Sequence, residues 1–189
     1  MNIKRCDWAN KPAIMIDYHD NEWGRPVKNE QKLFEFLSLE GAQAGLSWLT
    51  ILKRREGYRS AFHDFNIEKV AEIDVDAIQL LLQNQDIIRN KLKIKSVINN
   101  ARTWLNISFN TSMVDQLWQF VGGVPMKNNF QTMSDVPATT KISDAMSKWI
   151  KAKGFSFVGS TICYAFMQAA GLVNDHVVGC FRHQQLGGR

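Results

Sequence analysis

Proline is scarce in this sequence, four among 189 residues, and no Gly/Ser/Pro-rich linker, repeat or low-complexity tract divides it. Those absences exclude a fibrous or spacer chain and favour one domain, or one domain carrying a small lobe. No apolar run approaches the roughly 20 residues that span a bilayer, and the N-terminus lacks the apolar segment of a signal peptide. A cytoplasmic protein without membrane contact is expected. There the three cysteines, Cys6, Cys163 and Cys180, stay reduced, so each is a ligand, a nucleophile or part of the core. Strict apolar/polar alternation is also hard to find, which argues against a sheet. What is present is an ordinary globular composition, 45% hydrophobic and 22% charged, able to bury a core. The formal net charge of +5 favours a polyanionic partner without naming one.

Helical periodicity dominates, and the expected fold class is all-α. Asn29 is placed to cap a helix through Leu33, Phe34, Leu37 and Leu39 that ends near Glu40-Gly41. A second helix is expected over 45–62. Asn66 and Asp74 precede two short apolar segments, and Asn90 precedes an amphipathic run in which Ile94, Ile98, Ala101 and Leu105 share a face. Val114 to Val121 reads as a helix stopped by Gly122-Gly123, followed by a loop to about Thr140. Ser143 to Lys153 is a helix closed by Gly154. Val158 to Ala170, nearly all apolar and closed by Gly171, is the expected central element.

Two pairs of metal-ligand side chains stand at opposite ends of the chain: Cys6 with His19, and His176 with Cys180. The second pair has i, i+4 spacing, which on a helical turn aims both side chains at one point. Two thiolates and two imidazoles fill a tetrahedral site and leave no position for an activated water, the pattern of a structural ion. Spacing alone leaves the metal open, because the order Cys, His, His, Cys is not that of a standard finger. Cys163 lies inside an apolar run and reads as core; His63 and His183 read as surface or locally satisfied residues.

Longer blocks carry more. Cys6-Asp7-Trp8, Tyr18 to Gly24 (YHDNEWG), Leu39 to Trp48 (LEGAQAGLSW), Gly154 to Tyr164 and Gly171 to Cys180 (GLVNDHVVGC) closely resemble the 3-methyladenine DNA glycosylase I family, over essentially residues 4–180. The resemblance implies a helix-hairpin-helix superfamily fold with a zinc ion held by Cys6, His19, His176 and Cys180. It also implies an uncommon member of that superfamily, without the catalytic aspartate of its relatives. It places base recognition on Tyr18, Glu40 and Trp48, with Trp8 and Trp23 beside them. The stretch Ile88 to Ile94 resembles the family's hairpin but lacks a glycine-rich signature, and the tail from Phe181 shows no family pattern.

This inventory suits one chemistry. Methylation at N3 gives adenine a positive charge and weakens its glycosidic bond, so the base leaves neutral and needs little general-acid help. Recognition of a cation remains, with stabilisation of the oxocarbenium-like sugar. Glu40 and Tyr18 are the catalytic candidates: a carboxylate complementing the cation and a hydroxyl beside it. Trp48, Trp8 and Trp23 are candidate stacking surfaces, and Gln43 and Leu46 candidate fillers of the gap left by the extruded base. Each has a plainer reading: packed tryptophans, a solvated cap glutamate, a tyrosine buttressing His19, a core leucine. Lys53, Arg54, Arg55, Lys91, Lys93 and Lys95 are candidate phosphate contacts. No lysine falls in 18–24 or 39–48, which predicts hydrolysis without abasic-site cleavage. The expected activity is release of free 3-methyladenine from double-stranded alkylated DNA by a monomer. The alternatives are a zinc-stabilised lesion-binding module without catalysis, and a zinc hydrolase, disfavoured by its filled coordination.

Overall fold

A computed structural model describes residues 3–188. Eleven α-helices among them carry the fold: α1 (Ala13–Asn21), α2 (Glu30–Gln43), α3 (Trp48–Leu52), α4 (Arg55–Ala61), α5 (Ile67–Ala71), α6 (Val75–Leu81), α7 (Lys91–Ser108), α8 (Met113–Gln119), α9 (Lys141–Ala152), α10 (Ser160–Ala169) and α11 (Phe181–Gln185). The all-α expectation holds, with two two-residue strands, β1 (Met126–Lys127) and β2 (Val173–Asn174), paired in parallel. Asn29, Asn66, Asp74 and Asn90 each accept a backbone N–H in the first turn of the following helix, which is why those helices start where they do.

The central helix is α2, not α10. Every residue from Leu33 to Ala42 is buried, and α2 packs against α3, α7, α8 and α10. Phe34 packs edge-on to Trp104 of α7, whose indole N–H donates to Glu30 at 2.7 Å. In α10 the apolar face meets α2 and α9, while Thr161, Tyr164, Ala165 and Gln168 turn toward a cavity. That stripe at helical spacing lies hidden in a sequence that reads as uniformly apolar.

The helix expected over 45–62 is two helices. Gly45 takes a left-handed φ of +77°, and Ser47 caps α3 by accepting the N–H of Thr50. A turn at Lys53-Arg54 then separates α3 from α4 and carries Arg55 inward to two acidic partners. The parallel β1–β2 pair ties the long loop after α8 to the chain leaving α10, and Val178 N–H adds a bond to the Phe130 carbonyl. This brings Met133 to Ala138 over the same cavity. The tail is docked: Phe181 N–H bonds Lys4 O, and Asn174 donates to the carbonyls of His183 and Gly187. Cys163 is buried in the core as expected, His63 is exposed, and His183 is buried with Nε2 on the Asn128 carbonyl. No helix among the described residues is long and apolar enough to cross a membrane.

Candidate active site and metal cluster

A cavity of about 400 Å³ opens between α1, α2 and α3 on one side and α10 with the 133–138 loop on the other. Trp8, Tyr18, Trp23, Glu40, Gln43 and Trp48 all line it. Leu46 does not; it is 39% exposed and lines an adjoining cleft with Glu40 and Gln43, so it is not the core leucine of a continuous helix. Sequence reasoning missed Met15, Thr161, Tyr164, Gln168 and the 133–138 loop.

The cavity wall is aromatic and its one carboxylate is alone. Tyr18 lies 5.1 Å from Trp48, and Trp8 lies 5.1 Å from Trp23 in an edge-to-face contact. The buried indole N–H of Trp48 has no acceptor among the described residues, leaving a donor in the wall. Glu40 is 5% exposed and has no hydrogen-bond or ion-pair partner among the described residues. Burial alone pushes its carboxyl pKa up to about 8. It is therefore no solvated cap residue; α2 continues past it to Gln43. Burial, then the Glu40 charge, raises the Tyr18 phenol well above its usual range.

Two of the expected phosphate contacts are elsewhere. Arg55 is buried and donates to Glu35 at 2.7 Å and to both carboxylate oxygens of Glu22 at 2.7 Å. Lys93 is buried with Nζ on the carbonyls of Ala42 and Ala44. Lys53, Lys91 and Lys95 are exposed, and Arg54 is half-buried.

Directly behind the cavity, Cys6, His19, His176 and Cys180 converge, all buried, with ligand atoms within 4.8 Å of one another. His176 Nδ1 lies 3.2 Å from His19 Nε2, 3.6 Å from Cys6 Sγ and 3.5 Å from Cys180 Sγ, and Cys180 Sγ lies 3.5 Å from His19 Nε2. The remaining ring nitrogens are engaged: His19 Nδ1–H donates to Asp20 at 2.7 Å, and His176 Nε2–H to the Trp23 carbonyl at 3.1 Å. Those outer bonds leave the two inward nitrogens as acceptors, the form a metal ligand takes. The two thiols share a hydrogen bond, the largest cause drawing Cys180 down in pKa and raising Cys6. This group could hold a metal ion. The i, i+4 spacing of His176 and Cys180 works through a turn rather than a helix, closed by Cys180 N–H on Val177 O. Gly24 fits here as glycine alone: its φ is +78°, and a Cβ would stand 3.0 Å from His176 Nε2.

The model of one family, methyladenine glycosylase, matches residues 8–183. The chain belongs to that family. It is 50% identical over 179 residues to DNA-3-methyladenine glycosylase 1 of Escherichia coli, covering 94% of this chain and 96% of the relative. It is 45% identical over 177 residues to the DNA-3-methyladenine glycosylase of Haemophilus influenzae, covering 93% and 96%. A crystal structure of 3-methyladenine DNA glycosylase I superposes with a TM-score of 0.94 at 50% identity, covering 95% of this chain and all of that one. The Staphylococcus aureus 3-methyladenine DNA glycosylase I, whose structure describes the basis of 3-methyladenine recognition, superposes at 0.91 with 34% identity, covering 95% and 96%. At these identities the likeness extends beyond fold to family, as the sequence blocks imply.

Proposed function

We propose that this chain is a monofunctional DNA-3-methyladenine glycosylase that extrudes the alkylated base from duplex DNA and hydrolyses its glycosidic bond. Family membership and the names of the relatives support the activity. One observation carries the mechanism: Glu40, buried and unpaired, in an aromatic cavity large enough for a purine. A buried carboxylate without a partner is unfavourable in the free protein and becomes favourable when a cation enters. A neutral purine offers it no such compensation. The binding energy of the site is thus directed at the charge that alkylation creates, and the weakened bond breaks as positive charge moves from base to sugar. Tyr18 and Trp48 present polarised rings, and a cation on an aromatic face gains about 0.5–2 kcal/mol. The Trp48 N–H and the Tyr18 hydroxyl are available to orient the base edge.

Gln43 and Leu46 lie at the rim, where they would occupy the space left in the base stack. Among the described residues no lysine lines the cavity, which supports hydrolysis without Schiff-base chemistry. The protein would act as a monomer in the cytoplasm, with phosphate contacts at Lys53, Arg54, Lys91 and Lys95.

The metal is read as zinc in a structural role. Zinc bonds of about 2.05 Å to nitrogen and 2.3 Å to sulfur in tetrahedral geometry place N–N pairs near 3.3 Å and N–S pairs near 3.6 Å. Four of the six ligand-atom pairs, at 3.2 Å and 3.5–3.6 Å, fit that donor set, and all six lie within 4.8 Å. Bound zinc would fix Cys6 and His19 against His176 and Cys180, and with them the Trp8, Tyr18 and Trp23 walls.

The test is chemical. Purified protein incubated with methylated duplex DNA is expected to release free 3-methyladenine, detected by mass spectrometry, with rates falling as salt rises. Glu40→Ala is expected to lose affinity for the free base while keeping its fold. Tight binding of the methylated duplex with no base released would leave a lesion-binding module instead.

A further inference from the structure

Lys93 breaks two electrostatic rules. It is a lysine only 8% exposed, and it stands in the first turn of α7, where outward N–H groups disfavour a cation. Its compensation comes from another helix. Nζ donates to the Ala42 carbonyl at 2.8 Å and the Ala44 carbonyl at 2.6 Å. Those oxygens belong to the last turn and C-cap of α2, where acceptors lack partners within the helix and a positive charge is favoured. Immediately beyond them the chain reverses at Gly45 and exposes Leu46, and Gln43 to Leu46 form the rim of the cleft beside the cavity. On the other side of Lys93 lies the exposed start of α7, with Arg89 and Lys91 flanking Asn90.

We infer that Lys93 is a positioning residue: its ammonium fixes the Ala42–Leu46 turn relative to the start of α7, so that the segment filling the vacated base stack is held at a set height above the duplex that α7 grips. The inference rests on the glycosylase reading and adds to it. A single strand has no stack to fill, so the role is confined to duplex substrate.

The experiment uses the full chain and Lys93→Met, which keeps the apolar stem and removes the charge. Single-turnover release of 3-methyladenine is measured from a methylated duplex and from the same methylated strand unpaired, with free-base affinity as a separate readout of the cavity. Loss of about tenfold or more on the duplex is expected, with the single strand and free base within about twofold. Equal losses on both substrates, or weakened free-base binding, would mean general packing and overturn the inference. Gly45→Ala probes the same turn without touching Lys93: its added methyl meets open space, but the left-handed φ is strained. The same duplex-only loss is expected there, which keeps the test open should Lys93→Met melt below the assay temperature. Adding Leu46→Ala to Lys93→Met is expected to cost less than about twofold more, because both act through one turn; losses that multiply would count against it. A borohydride-trapped Lys93 adduct on abasic DNA would make this residue a nucleophile and overturn the positioning role. A wild-type chain that releases no base from either substrate overturns the glycosylase reading and this inference with it; an active chain without the split overturns this inference alone.

Discussion

Glu35 and Glu40 lie on the same helix, each 5% exposed, in opposite electrostatic surroundings. Glu35 receives Lys32, Arg55 and Arg59 within 3.0 Å. Burial would raise its pKa, but Arg55 and Lys32 outweigh that and hold it below the ordinary carboxylate range. Glu40 has no such partner among the described residues, and burial raises its pKa to about 8. Divergent environments for equivalent groups are how a protein assigns roles to them. Here one carboxylate ties helices together and the other lines the cavity without a partner among the described residues.

Glu40 therefore sets a pH dependence of stability whose sign follows from linkage. Its folded pKa of about 8 exceeds the ordinary 4.5, so the folded protein binds more protons between those values. The group's contribution is present in full below about pH 4.5, is lost progressively as pH rises, and levels off above about 8. At pH 7 the loss is of order 3 kcal/mol. Glu40→Gln is expected to remove that slope: thermal melts of the variant should match wild type near pH 4.5 and exceed it by several degrees at pH 7–8. A constant difference across the range would show that Glu40 is ionised throughout.

Adjacent arginines should behave differently. Arg55 bridges Glu22 and Glu35 from a buried position, and Arg55→Met leaves Glu35 to Lys32 and Arg59 and Glu22 to Lys32; a loss of about 1.5–3 kcal/mol in denaturant unfolding is expected. The guanidinium of Arg54, half-buried beside it, makes one hydrogen bond among the described residues, a long one of 3.4 Å to the Thr50 carbonyl. Arg54→Ala should change stability by about 0.5 kcal/mol or less and reduce the salt dependence of DNA binding by about one phosphate contact. The opposite ranking in either assay would contradict the geometry.

That contrast also shows where sequence reasoning stops. The caps at Asn29, Asn66, Asp74 and Asn90 are local: each side chain bonds a backbone N–H within three residues, and the pattern is visible in a window of four letters. The break between α3 and α4 is not, because what turns Arg55 inward is a pair of glutamates from α2 and the end of α1. Lys93 reads as one more cation in a basic run, since the carbonyls that hold it come from α2. The family's motif blocks led to Trp8, Tyr18, Trp23, Glu40, Gln43 and Trp48, and the structure brings these six to one cavity. The far wall from α10 and the 133–138 loop was harder, because its polar stripe is diluted by core residues and its loop position depends on the β1–β2 pairing.

The zinc assignment predicts coupling between metal and cavity. His176 connects them, with Nδ1 in the cluster and Nε2–H on the carbonyl of Trp23, and Trp8 packs against His19 at 5.2 Å. Stripping the ion with a chelator is expected to lower unfolding free energy by about 4 kcal/mol if free zinc stands near a thousand times its dissociation constant. Free-base affinity should fall with it, and both should return on adding zinc. Stability unaffected by chelation, with no zinc found by elemental analysis of the purified chain, would remove the metal.

Asp175 immediately precedes the cluster residue His176, yet its side chain bonds residues of the cavity wall. It is 1% exposed and accepts three bonds: from Asn128 Nδ2 at 2.6 Å, the Tyr164 hydroxyl at 2.5 Å and Gln168 Nε2 at 2.8 Å. Tyr164 and Gln168 line the cavity, so this carboxylate sets the orientation of its far wall. Asp175→Asn removes the charge from all three bonds and sets an NH₂ group against a donor unless the Asn128 amide turns over to accept it. A loss of about 2–3 kcal/mol is expected, against about 1 kcal/mol for Tyr164→Phe, which leaves the carboxylate with two donors. If the wall is what Asp175 governs, free-base affinity drops in both variants while bound zinc stays at one equivalent per chain. Loss of the metal in Asp175→Asn, with base affinity falling only in proportion, would instead make Asp175 a support for His176.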